Sequence, residues 1–179
     1  MKLIPLTRGL FTKVDDEDYE WLNQWKWNAC ANKKTFYAVR TIRLESGKRV
    51  RVAMHRLILG ITDPNIHGDH KDINTLNNQR SNLRPCTNKE NRRNRKSLDK
   101  STSKYLGVHA INMKKTYMTK RGLVTNEKMK YVSKIKTSIK EITLGRFDYT
   151  PEGEILAAKA YDTAARIHHG EFANLNFKD

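Results

Sequence analysis

With 179 residues, 37% hydrophobic and 30% charged, the chain can form one large or two small domains and is too apolar to stay disordered. Thirty-five Lys and Arg against 19 Asp and Glu leave a formal charge of +16, which favours a polyanionic partner. Cys30 and Cys86 form no Cys-x-x-Cys pair, which argues against a thiolate zinc site or a disulfide framework. Neither a signal-peptide core nor a membrane-length apolar run is present, so a cytoplasmic protein without a membrane partner is expected.

The first fifty residues read as short strands and turns. Asp15-Asp16-Glu17-Asp18 precedes Tyr19-Glu20-Trp21-Leu22, the pattern of a helix whose first amides are satisfied by carboxylates. Trp21, Trp25 and Trp27 are assigned to the core, although an exposed set could stack on bases of RNA. Phe36 to Arg43 and Lys48 to Val52 alternate around Glu45-Ser46-Gly47, so a hairpin with one basic face is expected. Met54 to Gly60 reads as a short helix ended by glycine.

The central stretch holds Gly68-Asp69-His70-Lys71-Asp72, then Ser81-Asn82-Leu83-Arg84, then Thr87-Asn88-Lys89-Glu90-Asn91. Hydrolysis of a phosphodiester needs a base to deprotonate water and a cation where negative charge builds up. His70 can be the base near neutral pH. Asp69 can ligate a hard cation from a strand, and Thr87-x-x-Glu90 is a capping box that would start a helix bearing a second ligand, Asn91. Asn82 is then left to orient the imidazole, while Asn74, Asn77 and Asn78 are read as turn residues. A basic run follows, with Arg92, Arg93, Arg95 and Lys96 placed to grip phosphates, and residues 97 to 103 read as a linker.

Beyond the linker, Tyr105 to Val108, Met129 to Lys136 and Ile142 to Phe147 read as three strands. Thr150-Pro151 opens a helix to about His168, with Ala157, Ala160, Tyr161, Ala164 and His168 on one face. Alternation places Lys130, Lys134 and Lys136 on the sheet face opposite that helix. His168-His169 is read as a helix end, because adjacent helical residues do not face the same way.

The central motifs, with Met54-His55-Arg56-Leu57-Ile58, resemble the HNH homing endonucleases of phages and group I introns, which have the ββα-metal fold. That resemblance implies His70 as general base, Asn82 as its positioning partner, and Asp69 with Asn91 as ligands of one divalent ion. Asn91 stands where many members have histidine, which favours Mg²⁺ or Mn²⁺ over zinc. Residues 104 to 179 look like the Apetala-two and ethylene-response-factor DNA-binding domain, through Tyr105-Leu106-Gly107-Val108, Leu144-Gly145-Arg146-Phe147-Asp148 and the alanine-rich helix. It implies a three-stranded sheet in the major groove braced by one helix, with His109, Lys134, Lys136 and Thr143 at DNA-contacting positions and Lys130 beside them.

The expected fold class is therefore α+β. An HNH nuclease domain is expected over residues 1–96, with its ββα core at about 66–96, and a DNA-binding domain over 104–179. The expected activity is metal-dependent cleavage of double-stranded DNA by a monomer or homodimer with no other protein partner. The alternative is a DNA-binding regulator without nuclease activity.

Overall fold

The computed structural model describes residues 1–32, 35–94 and 101–178, so Arg95 and Lys96 of the basic run and positions 97–100 of the expected linker lie outside the described residues. The fold is α+β, with several small antiparallel sheets, and it divides into two compact units, Met1–Asn94 and Arg95–Asp179. No described helix is long and apolar enough to cross a membrane.

In the first unit, β1 (Lys2–Pro5) pairs with β2 (Phe11–Val14). The helix α1 (Asp16–Asn23) follows. Its acidic first turn does less capping than expected: Asp15, at the N-cap, instead accepts from the Arg80 backbone N–H and from Gln79. Buried Asp18 takes two hydrogen bonds from the Arg80 guanidinium at 2.7 and 2.8 Å. The acidic cluster therefore clamps a distant loop, because bidentate Arg–carboxylate pairing outweighs a single cap bond.

A three-stranded sheet comes next, formed by β3 (Asn28–Asn32), β4 (Thr35–Arg43) and β5 (Arg49–Ala53). Its register puts Arg43, Arg49, Thr41 and Arg51 on one face, the basic face that alternation anticipated. Arg40 falls on the opposite, apolar side, with its guanidinium 3.7 Å from the Trp25 ring centroid. Trp27 is buried and donates to the Leu22 carbonyl, while Trp21 and Trp25 pack against the same core, where residue patterning had placed all three.

The short helix α2 (Met54–Ile58) leads to β6 (Ile66–His70), which pairs with β7 (Leu83–Thr87). A single helical turn, α3 (Asn88–Asn91), packs on that ribbon. Its capping box is present: Thr87 accepts from the Glu90 N–H and Glu90 accepts from the Thr87 N–H.

The second unit is a three-stranded sheet on one helix: β8 (Val108–Thr119), β9 (Gly122–Lys136), β10 (Glu141–Asp148) and α4 (Pro151–His169). The first strand begins at Val108, not Tyr105, and β9 starts well before Met129. The two form one continuous hairpin. Helix α4 covers the sheet through Ala157, Ala158, Tyr161, Ala164 and Ala165, against Val108 and Ile135. His168 is exposed, contrary to its expected place on the buried face. His169 is buried instead, with Nε2 3.1 Å from the Lys136 carbonyl; at φ −110° and ψ −15°, just before the C-cap Gly170, it has left ideal helical geometry, so helix periodicity no longer sets which side chain turns inward.

Candidate nuclease site

Asp69 and His70 are the last two residues of β6, and both are buried. Register sets Asp69 opposite Arg84, whose Nε and Nη2 both donate to Asp69 Oδ2, at 2.8 and 2.7 Å. Asn94 donates through Nδ2 to Oδ1 at 2.9 Å, to Oδ2 at 3.1 Å and to the His70 carbonyl at 2.8 Å. Oδ2 is thus committed to cationic and amide donors, and Oδ1 carries the spare acceptor capacity.

The imidazole of His70 is not held by Asn82. Its Nε2 lies 3.1 Å from Asn78 Oδ1, and Asn78 Nδ2 donates to Thr12 Oγ1 at 2.7 Å. Thr12 spends its own hydroxyl proton on the Leu76 carbonyl at 2.8 Å. Since a carbonyl can only accept, Thr12 Oγ1 must accept from Asn78, so the Asn78 oxygen must accept from His70. The chain of donors fixes the Nε2–H tautomer and leaves the lone pair on Nδ1.

Asn82 does something else. Its Oδ1 accepts from the Asp72 N–H at 3.0 Å, and its Nδ2 donates to Asp72 Oδ1 at 2.9 Å and to the Asn77 carbonyl at 2.8 Å. It closes the loop between the two strands. That loop holds Ile73 at φ 65°, a left-handed conformation that β-branched residues rarely adopt. Asp72 is held below the usual carboxylate range: burial alone would raise it, but donors from Asn77, Asn74 and Asn82 outweigh that.

Behind His70 stands His55 of α2, with ring centroids 5.1 Å apart at 71°, and Tyr37 lies about 6 Å from both rings, at 5.8 and 6.1 Å. Gly68 has no side chain because the His55 ring occupies the space a Cβ would need. Burial lowers the pKa of His70, opposed by the Asn78 hydrogen bond and the charges of Asp72 and Asp69, so the ring is neutral near pH 7. His55 is driven down to about 3, by burial first and by the charges of His70 and Arg56 next.

Asn91 ends α3, which rests on both ribbon strands, and so belongs to the same local structure as Asp69. Among the described residues no three His, Cys, Asp or Glu side chains cluster to hold a metal ion. An Asp69 Oδ1 and Asn91 amide pair is an all-oxygen set with one charge, which fits a hard ion such as Mg²⁺ or Mn²⁺ that keeps most of its waters, and not zinc. Cys86, buried beneath, has its thiol pushed up to about 11 by burial and the charge of Asp69, and so offers no thiolate. Arg92 and Arg93 follow α3, the former exposed and the latter half-buried.

In the second unit, the face opposite α4 carries exposed His109, Lys136 and Thr143. Lys130 and Lys134 lie on it too, but each is paired with a carboxylate: Lys130 with Asp148 at 2.6 Å and Lys134 with Glu141 at 2.9 Å. A register shift between Thr143 and Gly145 brings Arg146 opposite Val132, so this exposed arginine joins the face of His109 and Thr143. Simple alternation from Thr143 would have put it on the helix side.

Sequence reasoning missed Asn78, Arg84, Asn94 and Arg146. Arg84 lay inside a recognised motif, but its pairing depends on the ribbon register. Asn78 sat in an asparagine-rich loop that resembles any turn, and Arg146 depends on a bulge. No protein-family model, curated protein or solved structure matches this chain.

Proposed function

We propose that the first unit is a metal-dependent DNA endonuclease of the HNH homing type, with a ββα-metal core formed by β6, β7 and α3, and that the second unit is an Apetala-two-like DNA-binding domain. The observation that carries the reading is the hydrogen-bonded chain His70–Asn78–Thr12–Leu76, which holds a neutral histidine with Nδ1 as its basic nitrogen beside a buried carboxylate. His70 Nδ1 takes the proton of the attacking water. Asp69 and Asn91 would hold a Mg²⁺ or Mn²⁺ ion, which when bound supplies Lewis-acid stabilisation of the phosphate and leaving oxygen. Arg84 and Asn94 fix the orientation of the Asp69 carboxylate through their hydrogen bonds. Arg92 and Arg93 contact the adjoining phosphates. The products carry 5′-phosphate and 3′-hydroxyl ends.

A supercoiled plasmid incubated with Mg²⁺ should be nicked or linearised, and EDTA should abolish the reaction. His70→Ala should reduce cleavage by about 10² to 10⁴-fold while gel-shift affinity persists. Undiminished cutting by that variant rejects His70 as the base. One observation favours the competing reading of a DNA-binding regulator, namely that the Asp69 carboxylate is already well satisfied by Arg84 and Asn94. A regulator would leave the plasmid intact with either additive.

A further inference from the structure

The third strand of the second unit covers only part of the hairpin. The last pairing of β10 is Asp148 with Lys130, so Asn112–Thr119 and Gly122–Met129 continue as a two-stranded ribbon. Eight residues of strand project about 25 Å, at about 3.4 Å per residue. A turn of just two residues, Lys120 and Arg121, closes it.

The ribbon has the wrong surface for a purely solvated arm. At its tip Met118 and Leu123 are cross-strand partners, 74% and 68% exposed, and Tyr117 and Val124 pair beside them. Large apolar side chains on an unpaired ribbon invite aggregation unless a partner covers them. The surrounding charge points to that partner. Lys114 is matched by Glu127 and Lys128 lies 3.7 Å from Asp148, but Lys115, Lys120 and Arg121 surround the apolar tip without a nearby carboxylate among the described ion pairs.

We infer that this ribbon is a DNA-deforming arm, with Lys120 and Arg121 contacting phosphates on either side of the minor groove and Met118 and Leu123 wedged between base pairs. The inference rests on the proposed DNA-binding role. Its physical basis is that apolar wedges gain burial by entering the stack, while flanking cations hold the arm against the backbone. Unstacking a step also unwinds and bends the duplex, so the arm adds deformation to a sheet that otherwise only grips.

Relaxation of a closed circular plasmid by a metal-independent topoisomerase, in EDTA to prevent cleavage, reads the unwinding directly. Anisotropy with a mixed-sequence 40-base-pair duplex at 50 mM salt reads binding. Wild type should shift the linking number. Met118→Ser/Leu123→Ser should lose the shift and bind roughly tenfold more weakly, by the apolar burial forgone. Met118→Lys/Leu123→Lys adds charge at the same exposed positions, so it should retain or gain affinity and still lose the shift. A wild type that binds without unwinding, or serine and lysine variants that unwind like wild type, overturns the arm and leaves DNA binding standing. Dissociation of a DNA-free dimer by the serine variant also overturns it, by showing that the tip joins two copies. Absence of duplex binding by wild type refutes the DNA-binding reading itself.

Discussion

Asn78 and Asn82 stand four residues apart in one loop, but only Asn78 holds the candidate base, while Asn82 holds the loop itself. Asn78→Ala strands a buried imidazole N–H and leaves Thr12 without its donor, so it should cost about 1–3 kcal/mol of stability and lower cleavage by about 10 to 100-fold. Asn82→Ala breaks the Asp72 loop, so it should lower the melting temperature while leaving the pH dependence of cleavage in place. Asn78→Asp is the sharper test. A carboxylate at Nε2–H stabilises imidazolium, raises the pKa of His70 and moves the acid limb of the pH–rate profile upward; an unmoved limb would show that Asn78 does not govern this ring. His55 supplies a second pH effect. Its folded-state pKa of about 3 lies below the ordinary value of 6.5, so the unfolded chain binds more protons between them. Its stabilising contribution is full above pH 6.5 and is lost as pH falls towards 3, with His70 adding in the same direction. The half-buried ring is partly screened, so the loss between pH 6.5 and 4 should be on the order of 2 kcal/mol in denaturant titrations, and His55→Phe should flatten it.

Among the elements, the sheet-helix packing of the second unit turns on one glycine. Gly107 sits at φ +72° where its carbonyl accepts from Lys134, and an added Cβ would run into the Tyr161 ring and lie 2.7 Å from the Lys134 carbonyl oxygen. Gly107→Ala should therefore destabilise that unit by roughly 2–4 kcal/mol, seen as an earlier thermal transition, while the transition of the first unit stays in place. Gly107 also shows how much of the fold was legible. Local signals carried well: the Thr87–Glu90 capping box, the Thr150 cap and Pro151 start of α4, and the alanine stripe are short-range patterns that depend on neighbours in sequence. Long-range register did not carry. A strand was expected from Tyr105, but Leu106 is instead held by Asn176 and the ladder starts at Val108. Likewise the Asp69–Arg84 pair spans a loop of twelve residues whose length says nothing of which residues end up opposite each other, and Asn82, expected at His70, folds onto Asp72. Bulges act in the same way: one extra residue at Leu144 reversed the face of Arg146.

At the scale of the whole molecule, the positive charge is not a property of one unit. Eighteen Lys and Arg face ten Asp and Glu up to Asn94, and seventeen face nine beyond it, so each unit carries an equal excess. If both units grip one duplex, roughly six to ten phosphate contacts would form, and affinity should fall about 10³ to 10⁵-fold between 50 and 200 mM salt. The partition between units can be read from slopes. Arg92→Ala in the first and Lys136→Ala in the second each remove one exposed cation, and each should reduce the slope of log K against log salt by about 0.9. The two sites share no partner, so the double variant should lose the sum. If only the sheet-helix unit held DNA, Arg92→Ala would leave the slope untouched while Lys136→Ala reduced it. That outcome would confine the first unit to a transient visit to the phosphate at the proposed site, and Arg92→Ala would then slow cleavage at saturating protein without weakening binding.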